Sequence, residues 1–191
     1  MAINFPEGTQ NYPGHVFHTV YAQSNAVQSF SIGNGFQELS NYQLNNIDVR
    51  NTTDIVFLQC RIFNDISDTG DEYGYGWQYK NSGGGWSVID QNQTLGDTHY
   101  GRQGHVHSTH DSNFNHGQPT DHWGIVWKPG SISGVIPGQV DVRPIIMGHG
   151  STGCNLRINA FDDGYSGSNS EWNRRSSSYA MATVYITEGV N

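Results

Sequence analysis

The sequence predicts an all-β fold, an antiparallel β-sandwich of jelly-roll type, and three observations carry that expectation. Apolar residues recur with a period of two in segment after segment, and no window offers them at i, i+3, i+4 and i+7 over three turns. The composition suits strands and tight turns: 24 glycines in 191 residues, 12% aromatic residues and only 14% charged ones, against about 25% charged in ordinary globular chains. Turn signals fall between the apolar runs, as at Gly33-Asn34-Gly35, Asn81-Ser82-Gly83-Gly84-Gly85, Pro129-Gly130, Pro137-Gly138 and Asp162-Asp163-Gly164, where glycine supplies positive φ and proline or aspartate fixes the bend.

In chain order, residues 1–15 contain Pro6, Gly8, Pro13 and Gly14 and read as an extended N-terminal arm ahead of a single domain over 16–191. The segment 55–63 places Val56, Leu58, Cys60 and Ile62 on one face and mixes Gln59 and Arg61 into the other, a strand with one fully buried and one amphipathic face. Tyr73, Tyr75, Trp77 and Tyr79 alternate with Gly74, Gly76, Gln78 and Lys80. Shorter alternations follow at 124–128 and 140–143. Cys154, Leu156, Ile158 and Ala160 alternate with polar residues, and Ala180, Ala182, Val184 and Ile186 form the last apolar stripe. Cys60 and Cys154 each sit on an apolar strand face, which suits two buried thiols; a bridge would require the two strands to be neighbours.

One segment departs from this pattern. Between Leu95 and Ile125 the one aliphatic residue is Val106, and histidines at 99, 105, 107, 110, 116 and 122 stand among Gly, Asn, Ser, Thr and Asp. So polar a stretch cannot form core, so 95–125 is expected to be a His-rich loop insertion, and loops of that length in compact domains usually serve a function.

Charge and hydropathy exclude several roles. A net charge of −8, with no basic cluster larger than Arg174-Arg175, lacks the footprint that displaces counterions from phosphate, so no nucleic-acid partner is expected. The opening Met1-Ala2-Ile3-Asn4-Phe5-Pro6-Glu7 has neither the basic nor the apolar region of a secretory signal, and no stretch approaches the roughly 20 apolar residues of a membrane helix. No membrane insertion is expected.

Short strand motifs resemble a known group of proteins. Asp54-Ile55-Val56-Phe57-Leu58 after a Thr-rich turn, Gly138-Gln139-Val140-Asp141-Val142-Arg143, Leu156-Arg157-Ile158-Asn159 and the closing strand from Arg174-Arg175 through Tyr185-Ile186-Thr187-Glu188 resemble the strands of β-sandwich virion surface proteins of marine bacteriophages. The resemblance spans roughly residues 45–189. It implies a structural protein of a virion, in a tail fibre, knob or capsid decoration, made in the host cytoplasm and assembled as a homotrimer with other virion proteins, with host attachment as a further role. It implies no catalytic residues. The chain departs from the group in its 95–125 insertion and in carrying Asn81-Ser82-Gly83-Gly84 where the group has an Arg-Asp-Gly-Thr turn.

The residues themselves leave other chemistries open. His105 and His107 project from the same face of an extended segment. On a three-fold axis their six imidazole nitrogens would form a cage suited to a transition metal such as Fe²⁺, Ni²⁺ or Zn²⁺; in a solvated loop they are ordinary polar side chains. A lectin-like module binding a host-surface glycan is the alternative function, with Trp172, Trp123 and Tyr100 as candidate receptor or glycan contacts, since aromatic faces stack on sugar rings. Alternate aromatics equally build a sandwich core. A polysaccharide-directed hydrolase is the third reading. It lacks a Gly-x-Ser-x-Gly elbow, and its carboxylate pairs Asp71-Glu72 and Asp162-Asp163 fall at turns, so an enzyme is not expected.

Overall fold

The computed structural model describes residues 16–32, 35–67, 72–81, 83–89, 107–108, 120–132, 138–149, 154–159 and 177–185. The expected arm at 1–15 and most of the 95–125 segment lie outside them. Two antiparallel sheets pack face to face. The first holds β1 (Val16–Ser24), β2 (Gln28–Ile32), β5 (Ile55–Ser67), β9 (Thr120–Trp127), β11 (Cys154–Ile158) and β12 (Ser178–Tyr185). The second holds β3 (Gly35–Glu38), β4 (Leu44–Val49), β6 (Glu72–Asn81), β7 (Ser87–Val88), β8 (His107–Ser108) and β10 (Gly138–His149). From β4 through β6, and again from β8 through β11, the chain crosses between the sheets at each step, the connectivity of a jelly-roll-type sandwich. Among the described residues there is no α-helix, only two 3-10 turns at Ser40–Tyr42 and Pro129–Ser131.

Period-two patterning decides what lies between the sheets. Val56, Leu58, Cys60 and Ile62 of β5 are all buried, with Ala180, Ala182 and Val184 of β12 and Leu156 and Ile158 of β11 on the same layer. Leu44, Ile47 and Val49 of β4 and Val140, Val142 and Ile146 of β10 face them from the second sheet. Burying a side chain of this size contributes roughly 1.5–3 kcal/mol relative to leaving it in water. The aromatic stripe of β6 turns inward: Tyr75 and Trp77 are buried, and Tyr79 is half-buried against the core.

Three local features hold the chain at its irregular points. Pro144 interrupts β10, where a proline would normally forfeit a ladder bond. It falls between the stretches paired with β4 and with β3, and its carbonyl accepts the Leu39 N–H at 3.0 Å, so its missing donor lies at a seam. The register of β4 on β10 shifts between Val140 and Val142, and there Asn46 adopts φ 57° while its N–H donates to Asp141 Oδ1 at 2.9 Å. Asparagine tolerates this left-handed conformation better than any other bulky residue type. Gly130 sits so close to the 50–54 turn that a Cβ would lie 1.8 Å from the Thr52 carbonyl oxygen. That turn is tied down by buried Asp54, whose carboxylate accepts the backbone N–H groups of Arg50 and Asn51 at 3.1 and 2.9 Å.

The structure corrects one boundary. Strand β9 begins at Thr120, so the last residues of the expected 95–125 loop are strand. The stretch is polar on one side only: Trp123, Ile125 and Trp127 alternate toward the core. Cys60 is a free, buried thiol. Its cross-strand neighbours are Ala180 and Trp123, while β11 joins β5 only from Asn64 onward, so the two cysteine positions are not opposite each other.

Candidate interaction surface

The interior carries two organised clusters, both built from residues the folding pattern brings together. The first is aromatic. Tyr75 stacks on Trp123 with ring centroids 4.2 Å apart and planes 17° apart, Trp77 tilts against Trp123 at 6.3 Å, and Tyr79 packs on Trp127 at 5.5 Å. Each contact joins β6 of one sheet to β9 of the other, and such pairs add about 0.5–1.5 kcal/mol beyond their buried area. Trp123 is 4% exposed, and Tyr75 covers its ring. This corrects its expected role as a receptor or glycan contact: it has no free face to offer a sugar.

The second cluster is polar. Phe63 donates its N–H to Ser178 Oγ at 3.0 Å, and its carbonyl accepts the Asn159 N–H at 2.8 Å. The N–H and C=O of one strand residue point the same way, so β12 and β11 occupy the same edge of β5 in succession. Asn159 fills the seam between them at φ 57°. Its two Nδ2 hydrogens are shared among the carbonyls of Ser24 and Ala26 and the Tyr42 hydroxyl, at 2.9, 3.1 and 2.9 Å, and Ser178 Oγ donates to its Oδ1 at 2.6 Å. Asn159, Ser178 and Tyr42 are all buried, and burial pushes the Tyr42 phenol above its ordinary pKa. The cluster ties the ends of β1, β11 and β12 to β5 and to the Ser40–Tyr42 turn. The alternation from Cys154 to Ala160 assigns Asn159 to the polar side of a strand; an Asn at the end of an apolar alternation is the signal the sequence offers.

On the outer face of the second sheet, Arg143 donates to Gln78 Oε1 at 2.8 Å, pairs with Glu38 at 3.1 Å and lies 4.1 Å over the Trp86 ring, with Lys80 at 5.5 Å from the same ring. Burial lowers the Arg143 pKa, and Glu38 pulls it back up. The guanidinium and the indole serve each other, so the cluster acts as a cross-link between β3, β6 and β10.

The outer face of the first sheet is different. Its strands run in the order β1, β12, β5, β9, and the registers set the outward side chains in rows: Tyr21, Met181, Gln59 and Gly124; Thr19, Thr183, Phe57 and Val126; Gln23, Tyr179, Arg61 and His122. Tyr185 and Ile55 extend the apolar area, with Phe57 and Tyr185 in edge contact at 4.9 Å. Arg61, whose guanidinium lies 4.9 Å over Phe63, is the one formally charged side chain in these rows. There is no carboxylate among them, although the chain carries a net charge of −8. Tyr21 is 57% exposed, and Phe57, Val126, Met181 and Tyr185 are half-buried. Sheet faces that meet only water alternate to polar residues; this one is mixed, with Tyr21, Phe57, Val126, Tyr179 and Met181 set among Thr, Gln, Arg and His.

No protein-family profile and no curated protein matches the sequence. Among solved structures, the chain is similar to a subviral particle of the infectious bursal disease virus protein VP2, at 10% identity and a TM-score of 0.39 over 99% of this chain and 42% of the other. It is also similar to structures of the Gx and Gt strains of that virus, at 9% and 11% identity with TM-scores of 0.37 and 0.38. The chain thus spans less than half the length of the solved chains it matches, and a likeness at these TM-scores carries no weight for function.

Of the other expected site residues, His107 lies in β8, its backbone opposite Tyr73 of β6. His105, Tyr100 and Trp172 lie outside the described residues. Among the described residues no three His, Cys, Asp or Glu side chains converge as metal ligands, and no helix is long and apolar enough to cross a membrane.

Proposed function

We propose that this chain is a structural protein of a bacteriophage virion, a fibre, knob or capsid decoration, that assembles as a homotrimer and with other virion proteins and has no catalytic role. The observation that carries the reading is the set of outward rows across β1, β12, β5 and β9, rich in aromatic residues, in which Arg61 is the one formal charge and no carboxylate occurs, on a chain of net charge −8. A second copy is the occupant it suits. Two copies of an acidic chain repel least where neither presents an acid, and the cores of protein interfaces are depleted of charge and enriched in aromatics and Met. The strand motifs that resemble those of phage surface proteins support the virion setting, and the β-sandwich is an architecture suited to display.

Light scattering on the purified chain should report three times 21.2 kDa, and purified particles should contain the chain in fixed proportion to their coat protein. Particles that sediment without it, leaving it free in the lysate, would overturn the reading.

A further inference from the structure

The backbone hydrogen-bond phase across the first sheet shows what lies at its two edges. Because Phe63 directs its N–H and C=O toward β12 and β11, the odd residues of β5 bond toward that edge and the even ones toward β9. Carried through the registers, Val20 and Ala22 of β1 bond to β12, while Thr19, Tyr21 and Gln23 direct their backbone groups away from the sheet. Likewise Trp123 and Ile125 of β9 bond to β5, while His122, Gly124 and Val126 direct theirs outward. Neither edge has a strand partner among the described residues. Natural edges are usually blunted by Lys, Pro, brevity or a bulge. β1 is nine residues long with no formal charge and no proline, and its one irregularity lies at its start, between Val16 and His18.

We propose that β1 of one copy adds to β9 of the next, antiparallel, in the register that sets Tyr21 opposite Gly124; this rests on the trimeric reading above. Three considerations select this pairing. Strand directions alternate across the sheet, so a second copy placed beside β1 with its own sheet continued presents β9 in the antiparallel sense. A patch that pairs with itself closes at two copies, whereas a contact between two different patches can close at three. In this register the outward backbone groups of Thr19, Tyr21 and Gln23 meet those of Val126, Gly124 and His122.

The side chains agree with it. Thr19 meets Val126, a β-branched pair, and Gln23 meets His122, a polar one, with no like charges opposed. Gly124 is exposed and must remain without a side chain, since a Cβ there would lie 2.9 Å from the Leu58 carbonyl oxygen. The bare strip it leaves is covered by the Tyr21 ring, which donates its hydroxyl hydrogen to Gln23 on the same edge; aromatic side chains across from sheet glycines are a known stabilising device.

The test is Thr19→Pro. Proline removes only an N–H that points away from β12, so the intramolecular ladder is kept; Thr19→Val retains that N–H. Light scattering should give three times 21.2 kDa for the wild type and Thr19→Val, and 21.2 kDa for Thr19→Pro with an unchanged far-UV spectrum. A folded Thr19→Pro that keeps the wild-type mass overturns the edge pairing and leaves the trimer standing. Should Thr19→Pro not fold, amide exchange on the wild type decides: the Tyr21 and Gly124 amides should exchange slowly in the assembly, and fast exchange there overturns the pairing. A monomeric wild type overturns both.

Discussion

Replacing Asn159 by Ala should be among the most damaging single changes in the molecule. The side chain sits at the seam where β11 hands over to β12 along β5, and its loss removes four hydrogen bonds. The Ser24 and Ala26 carbonyls are near solvent and regain water, so they contribute little to the cost. The Tyr42 and Ser178 hydroxyls are fully buried, but Ser178 Oγ keeps the Phe63 N–H and Tyr42 keeps the Ser178 side chain, so each lost bond costs about 0.5–1.5 kcal/mol. Holding Ala at φ 57° adds about 1–2 kcal/mol that Asn, with its local hydrogen bonding, largely avoids. The sum is roughly 2–5 kcal/mol, a large share of the 5–15 kcal/mol that stabilises a typical domain. Urea titration followed by tryptophan fluorescence measures it. Asn159→Gly keeps the backbone freedom and should recover the part owed to φ, so the difference between the two variants separates backbone from side chain. An Asn159→Ala loss below about 1 kcal/mol would refute the idea that this cluster locks the seam.

Other outcomes follow from the same structure. Leu58→Ala should cost roughly 2–5 kcal/mol in urea denaturation, because Leu58 is fully buried in the first sheet's inner layer. Gly130→Ala forces the Pro129–Ser131 turn off the Thr52 carbonyl and should lower the melting temperature by an amount equivalent to about 1–3 kcal/mol. Phe57→Lys places a charge at the centre of the outer face, and light scattering should show dissociation with an unchanged circular-dichroism spectrum. Burial raises the Cys60 thiol well above its ordinary 9.0, so the native state holds the proton after the unfolded chain has released it. Stability should therefore be full below that ordinary value and fall as pH climbs above it, and Cys60→Val should flatten the alkaline loss measured by thermal melts.

Much of the fold was legible because inward residues of the central strands are unmistakably apolar. Val56, Leu58 and Ile62, like Val184 and Leu156, announce both strand and face by alternation. The edge strands were not legible in the same way. In β1 the inward positions His18, Val20, Ala22 and Ser24 are half polar, since an edge strand is only partly covered, and β3 is four residues long. The pattern in β10 halts at Pro144 because a proline in a central strand is normally a contradiction; only the seam opposite Leu39 resolves it. Trp123 looked like a surface aromatic because its sequence neighbours are polar, and those neighbours point the other way. The outer face was half visible in the mixed odd positions of β5. Its extent depends on registers with β1, β12 and β9, which bring together residues far apart in sequence.

The most direct test of the whole account is a map of the intact particle at a resolution that places the sandwich. A copy of this chain is expected at the virion surface, in threes, with the β1–β12–β5–β9 face buried against the neighbouring copy. A particle without density for the sandwich, or one in which Tyr21, Phe57 and Met181 face solvent in every copy, would contradict it.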